Sequence, residues 1–218
     1  MPDLDFKVTG VEPGTRGLTP LLNFRLQVTN QPPAENIHGV LLQAQIQIRS
    51  PQRSYNAREK EKLIELFGLP FQWSATLRNR LWTTTSTVVG AFADQAVARL
   101  SVPCTYDLNI AATKCCYALE HGDVPLLFLF SGTVFYAGGD GRLQVQQISW
   151  DKECTYRLPV RLWRAMMDEH FPNSAWLYLN RDLFEQLYAY KRSQGLATWD
   201  QTMAQLLADS VKQPEVLV

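Results

Sequence analysis

Apolar and polar residues alternate strictly in three stretches of the first fifty residues. Leu4, Phe6 and Val8 are separated by Asp5 and Lys7. Leu22, Phe24, Leu26 and Val28 are separated by Asn23, Arg25 and Gln27, and Leu42, Ala44, Ile46 and Ile48 by Gln43, Gln45 and Gln47. Successive side chains of a strand point to opposite faces, so a period of two predicts three antiparallel strands, each with one buried and one wet face. The segments "EPGTRGLTP" and "TNQPPAENIHG" between them carry the Pro and Gly that break regular structure.

The period then changes. Asn56 followed by Glu59 has capping-box spacing, Leu63, Ile64 and Phe67 make an apolar helical face, Gly68 suits a left-handed C-terminal residue, and Pro70 stops the helix. With a second helical piece near Ser74 to Leu81, this predicts a helical insertion at about residues 55–82. Strands are expected again over "TTSTVVGAF", "AVARLSVPCTYDLNIAATKCCYAL" and "VPLLFLFSGTVFYAGGDGRLQVQQISW". The run from Leu126 to Tyr136 is apolar at nearly every position, the pattern of a central strand covered on both faces. Gly138 to Gly141 supply a hairpin turn, and Cys154, Tyr156 and Leu158 alternate as a last short strand.

After Pro159 the pattern is helical. Trp163, Met166, Met167 and His170 recur at helical spacing until "FPNS" interrupts them. Arg181 to Ser193 places Leu183, Phe184, Leu187, Tyr188 and Tyr190 on one broad face, with Gly195 beyond. Thr198 and Gln201 repeat the capping-box spacing before Trp199, Met203, Leu206 and Leu207. The expected fold class is α+β: a mainly antiparallel β-sandwich with a helical insertion over residues 1–158, and a C-terminal helical segment over 159–218 packed on it within one structural domain.

Composition narrows the function classes. The chain has 218 residues, 46% apolar and 19% charged, with 21 basic and 21 acidic side chains. A neutral chain offers no electrostatic attraction to phosphate backbones or anionic lipid, so no nucleic-acid partner is expected. The longest apolar run, Val124 to Phe130, is too short to cross a bilayer, and no membrane insertion is expected. The start "MPDLDFKVTG" has neither a basic region nor an apolar signal core, and Cys104, Cys115, Cys116 and Cys154 form no CxxC pair. A cytoplasmic protein with reduced, mostly buried thiols follows.

Catalytic signatures are missing from the sequence: it has no GxGxxG after a strand, no phosphate-binding lysine loop, no GxSxG and no HExxH. His38, His121 and His170 make no metal-ligand spacing, and Cys115 and Cys116, read as strand neighbours, would face opposite ways. The expectation is therefore no enzyme, no cofactor and no metal. Two sets of residues remain of interest. Trp150, Asp151, Lys152 and Glu153 follow the hairpin as a polar cluster, with Trp150 anchored in the core and the three charges free to contact a partner. Trp163, Tyr188 and Trp199 could line a pocket between sandwich and helices.

Taken together, "CTYD" (Cys104 to Asp107), "FSGTVFY" (Phe130 to Tyr136), "WDKE" (Trp150 to Glu153), "FPNSAW" (Phe171 to Trp176) and "TWD" (Thr198 to Asp200) resemble a bacterial family of unknown function associated with gene clusters of uptake NiFe-hydrogenases. The resemblance covers nearly the whole chain. It implies an accessory role in assembly, maturation or stabilisation of the hydrogenase, with a hydrogenase component as protein partner, and it supplies no catalytic residues. The expected function is thus a non-enzymatic accessory or interaction protein, with a homo-oligomer compatible with it. Competing readings are a small-molecule-binding β-sandwich, which needs an enclosed cavity, a peptide-holding chaperone, which needs an open apolar edge or groove, and a metal carrier, which needs Cys104, Cys154, His121 or His170 brought together.

Overall fold

The computed structural model describes residues 1–14, 17–31, 35–105 and 110–212. The chain forms two compact units, Met1–Ser174 and Ala175–Val218. The first is an α+β sandwich of two antiparallel sheets. Strands β1 (Asp3–Pro13), β2 (Leu21–Gln31) and β5 (Gln95–Pro103) form one sheet in the order β1-β2-β5. Strands β4 (Arg80–Val89), β3 (Ile37–Ile48), β6 (Asp123–Ala137) and β7 (Leu143–Gln147) form the other in the order β4-β3-β6-β7, with β8 (Glu153–Pro159) also paired to β6.

The alternation read from the sequence is the burial pattern observed. Leu22, Phe24, Leu26 and Val28 of β2 face Val40, Leu42, Ala44, Ile46 and Ile48 of β3 across one apolar core, all at most 2% exposed. Alternation specifies a face and not a neighbour, and the chain changes sheets between β2 and β3, so the three early strands divide two to one. Phe6 stacks on Phe130 at 4.5 Å, and Phe24 meets the rings of Phe128 and Tyr156 edge-on at 5.2 and 5.9 Å, joining the two layers. At Gly132 (φ 143°) β6 runs so close to β3 that a Cβ would stand 2.0 Å from the Leu41 carbonyl oxygen, which only glycine permits.

The helical insertion lies between β3 and β4. It comprises α1 (Ala57–Lys62), α2 (Ile64–Phe67) and α3 (Trp73–Thr76), with short 3-10 turns at Ser50–Gln52 and Pro70–Gln72. The capping box is present: Asn56 Oδ1 accepts from the Glu59 amide at 2.8 Å, and Glu59 Oε2 accepts from the Asn56 amide at 3.1 Å. Gly68 ends α2 with φ 75°. Leu63, Phe67 and Trp73 turn inward, and the Trp73 indole N–H donates to the Gly68 carbonyl at 2.8 Å. The insertion is shorter than expected. Leu81 and Trp82 belong to β4, where Trp82 is buried and meets Phe24 edge-on at 6.5 Å.

Two more expectations need correction. Residues 110–118, read as part of a strand, form helix α4 (Ile110–Ala118). Ala112, Cys115, Cys116 and Leu119 are buried at helical spacing, a period that short and small residues leave faint. Trp150, expected in the core, is 92% exposed. It stands on the turn between β7 and β8, where the Lys152 amide donates to the Ser149 carbonyl at 3.2 Å. Lys152 is the anchored member of that cluster: its ammonium reaches Asp3 at 2.7 Å, and its carbonyl accepts from the Phe130 amide at 2.9 Å.

Strand β6 is central, as its apolar run predicts, with β3 along one side and β8 and β7 along the two halves of the other. It is covered on both faces only from Val124 to Phe128; Ser131 opens its outer face. Helix α5 (Val160–His170) belongs to the first unit and not with the later helices. Trp163, Met166 and Met167 are buried, and Trp163 meets Tyr117 edge-on at 4.8 Å.

The second unit is a helical hairpin of α6 (Arg181–Ser193) and α7 (Trp199–Lys212). Asn180 Oδ1 caps α6 by accepting from the Leu183 amide at 2.8 Å. Gly195 (φ 64°) turns the chain, and the Lys191 ammonium donates to the carbonyls of Leu196 and Ala197 at 2.9 and 2.8 Å. Thr198 and Gln201 cap α7 reciprocally at 3.2 Å each way. The Tyr190 hydroxyl ties the helices by donating to Asp209 at 3.3 Å. Among the described residues of this unit Thr202 alone is fully buried.

Candidate interaction surfaces

The four cysteine thiols lie in settings that favour the protonated form. Cys104, Cys115 and Cys116 are buried. Burial pushes the Cys104 thiol up to about 12 and the Cys115 thiol up to about 11. Burial, reinforced by the neighbouring Cys115 and Cys104, raises Cys116 further. Cys154, half-buried on β8, is raised to about 11 by burial. A thiol nucleophile works as the thiolate, and burial disfavours that form at all four cysteines. Among the described residues no group of three His, Cys, Asp or Glu side chains is placed to hold a metal ion. His170 ends α5 with its Nδ1 2.9 Å from the Met166 carbonyl oxygen.

The most deeply buried charges form a clamp beneath the helical insertion. Arg53 donates to Glu59 Oε1 at 2.7 Å and to the Asp123 carbonyl at 2.6 Å, and also bonds the His121 carbonyl. Glu59 Oε1 further accepts from the Glu120 amide at 2.9 Å. The two side chains are 11% and 3% exposed. Burial works to raise the Glu59 carboxyl, but the Glu120 and Asn56 amides together with the Arg53 guanidinium outweigh it and hold it below the ordinary carboxylate range. Every Glu59 oxygen is thus occupied within the fold, and the clamp fastens α1 to the segment entering β6. Lys114 on α4 pairs with Glu65 on α2 beside it.

Cavities are modest. A depression of about 260 Å³ opens on the outer face of β3 and β4 between Leu41, Gln43, Ser86 and Val88. The outer face around it is uncharged, with Gln43 beside Ser86 and Ser131, and Gln45 beside Thr84 and Leu129, in register.

Exposed apolar surface is concentrated in the second unit. Trp176, Leu177 and Tyr178 precede α6 and are 58, 70 and 81% exposed. On the hairpin, Phe184 lies 5.3 Å from the ring of Trp199 and 6.4 Å from that of Tyr188, and Tyr188 and Trp199 are 6.3 Å apart. The Lys191 ammonium sits 5.9 Å over the Trp199 ring, and Leu183, next to Phe184 in sequence, is also exposed. All four apolar side chains keep a third or more of their surface exposed. The fold therefore brings together Tyr188 and Trp199 of the expected pocket. Trp163 belongs to the first unit, 2% exposed against Tyr117.

Phe184 and Lys191 were legible in the sequence only as members of an amphipathic helix. Their grouping with Trp199 depends on how α6 and α7 pack. In the WDKE cluster, Lys152 is tied to Asp3, while Trp150 and Asp151 are exposed. Hydrogen bonds from Ser149 and its own backbone amide keep the Asp151 carboxylate below its usual range. Of the residues that carry the family resemblance, Tyr106 and Asp107 lie outside the described residues.

Among solved structures the chain is similar to a protein described as late embryogenesis abundant, with 13% identity over 73% of each chain and a TM-score of 0.32. It is also similar to the ApaA protein of Bordetella pertussis, at 11% identity over 72% of this chain and 95% of that one, with a TM-score of 0.27. A β-glucosidase from Kluyveromyces marxianus matches at 8% identity over 72% of this chain and 15% of that one, with a TM-score of 0.26. Similarities this weak carry no argument about function. No curated protein sequence matches significantly. The model of a family of unknown function, DUF6084, matches residues 1–215, and the chain belongs to that family.

Proposed function

We propose that this chain is a non-enzymatic interaction protein in which the helical hairpin of the second unit receives a protein partner. One observation carries the reading: Phe184, Tyr188 and Trp199 form a contiguous aromatic face, partly exposed, on a hairpin in which Thr202 alone of the described residues is fully buried. Aromatic residues in such a cluster are the usual anchors of a protein interface. Covering each of them is worth roughly 1 kcal/mol or more at about 25 cal/mol per Å² of apolar surface. Lys191 over Trp199 adds a cation at the rim, which favours an acidic margin on the partner.

The partner to which the family resemblance points is a component of an uptake NiFe-hydrogenase, with the chain acting in its assembly, maturation or stabilisation in the cytoplasm. The test is affinity purification of the full chain from its native host, with hydrogenase subunits identified by mass. The wild-type chain retains a hydrogenase subunit, and Phe184→Glu with Tyr188→Glu releases it. Absence of hydrogenase subunits from the wild-type sample, or equal retention by the double variant, overturns the proposal.

A further inference from the structure

We infer that strand β7 is a self-association edge, at which a second copy of this chain pairs antiparallel to extend the sheet. This goes beyond the hairpin reading and concerns a different surface. Among the described residues strand β7 pairs with β6 alone, along one side. The Ile148 amide donates to Gly132 and the Gly138 amide to Arg142, both at 2.9 Å. The antiparallel pattern alternates from these bonds, so Gln144 and Gln146 turn their backbone groups toward β6. Leu143, Val145 and Gln147 turn theirs away from it. An outward row of amides and carbonyls is a template for another strand.

Other edges of the sandwich carry protection that β7 lacks. Strand β1 bears Asp3, Asp5 and Lys7 and a bulge between Val8 and Gly10. Strand β8 carries Glu153 and Arg157 and ends in Pro159. At β4 the Thr85 hydroxyl donates across to the Ser101 carbonyl of β5 at 2.9 Å. Strand β7 reads Leu143-Gln144-Val145-Gln146-Gln147, with no charge, no proline and no bulge, and Leu143 and Val145 are 62% and 57% exposed. At five residues the edge is short, and its uncharged outward row suits pairing with one strand of matching length.

The chemistry of the strand selects a second copy. A two-fold axis through Val145 sets Val145 against its equivalent, Leu143 against Gln147, and Gln144 against Gln146. Within the ladder no charges meet, and every contact except the one on the axis is made twice. Beyond the ladder the same axis brings the turn holding Asp140 and Arg142 level with the turn holding Trp150 and Asp151 of the other copy. The Arg142 side chain is 85% exposed and Trp150 is 92% exposed. Arg142 is held by Asp140 at 3.6 Å, and its guanidinium over the indole of Trp150 gives both a cation–π neighbour.

The test is the mass of the full chain by light scattering across a concentration series, joined to cysteine cross-linking. The wild type reaches twice 24.8 kDa. Val145→Lys sets two ammonium groups face to face and weakens the dimer by about tenfold or more. Val145→Pro removes an outward N–H that β6 does not use and has the same effect. Val145→Cys closes a disulfide across the axis under mild oxidation, because directly opposed residues in such a pair lie about 5.5 Å apart. Val97→Cys, on exposed β5, does not cross-link. A wild-type chain that stays monomeric at about 1 mM, a dimer indifferent to both lysine and proline, or equal cross-linking at Val97 overturns the inference. So does a monomer that takes up an unrelated extended peptide at β7.

Discussion

Removing the Glu59 carboxylate tests whether the buried clamp holds the helical insertion to the sandwich. In Glu59→Ala the Arg53 cation, 11% exposed, keeps only carbonyl partners, and the amides of Asn56 and Glu120 lose their acceptor. Breaking one side of a buried, hydrogen-bonded ion pair costs about 3–5 kcal/mol, because the remaining charge stays desolvated. The loss lowers the thermal midpoint by roughly 6–20 °C, at about 2–4 °C per kcal/mol for a chain of this length. Urea unfolding followed by tryptophan fluorescence reads the effect, since Trp73 lies in the same insertion. The double variant Arg53→Met/Glu59→Leu removes both charges and recovers most of the loss. The sign with pH follows from the lowered Glu59 carboxyl: its stabilisation is complete above about pH 5, past the ordinary carboxylate value, and is lost as pH falls through the folded value. Stability of the wild type therefore drops more steeply below about pH 4 than that of Glu59→Gln. A cost under about 1 kcal/mol for Glu59→Ala, or no recovery in the double variant, refutes the clamp.

Other outcomes are more direct. Trp150→Ala changes stability of the monomer by less than about 0.5 kcal/mol, while Trp163→Ala costs about 3–5 kcal/mol, as measured by urea unfolding at low protein concentration; equal costs would contradict their placement. Gly132→Ala puts a Cβ into the Leu41 carbonyl and strains φ, so it lowers stability by several kcal/mol or abolishes folding. A soluble, fully stable variant would mean that β3 and β6 are farther apart. At pH 8 a thiol reagent labels Cys154 first and leaves Cys104, Cys115 and Cys116 unmodified until denaturant is added. Fast native labelling of the Cys115–Cys116 pair would show thiolates where burial should forbid them.

The sequence made the elements legible wherever one physical rule dominated. Strict alternation gave the inward faces of β1, β2 and β3, and side-chain hydrogen bonding to free amides gave the caps at Asn56 and Thr198. It was less informative where two rules give the same pattern. Ala112, Cys115 and Cys116 are small enough to suit a strand or a buried helix, and the adjacent cysteines looked like opposite faces of a strand. Trp82 looked like the end of the helical insertion because tryptophan suits both settings, and its burial in β4 was decided by Phe24 across the core. Trp150 reads as the core anchor of a polar strand end that closes the hairpin. The short turn from Ser149 to Lys152 leaves room to anchor one residue, and the ion pair with Asp3 settles on Lys152. The aromatic face of the hairpin was half legible. Tyr188 and Trp199 stood out by type, but their union with Phe184 and Lys191 is a property of two helices and a turn.

Buried apolar packing lies in the first unit, and the proposed recognition surface in the second. All the buried apolar clusters, the ion clamp and the ring contacts between layers lie within Met1–Ser174. The hairpin has helices of 13 and 14 residues, and its internal ties are chiefly terminal caps, the Tyr190–Asp209 contact and one buried threonine. Helices of that length are marginal in water unless an apolar face is covered. Here the apolar face joins partly buried Leu187, Met203 and Leu206 to large rings that remain partly exposed. Each ring left in water costs the hairpin stability that a partner would restore, so binding and hairpin stability are linked through the same surface. Retaining Phe184, Tyr188 and Trp199 on a hairpin with so little interior of its own is accounted for if that face is completed by another molecule.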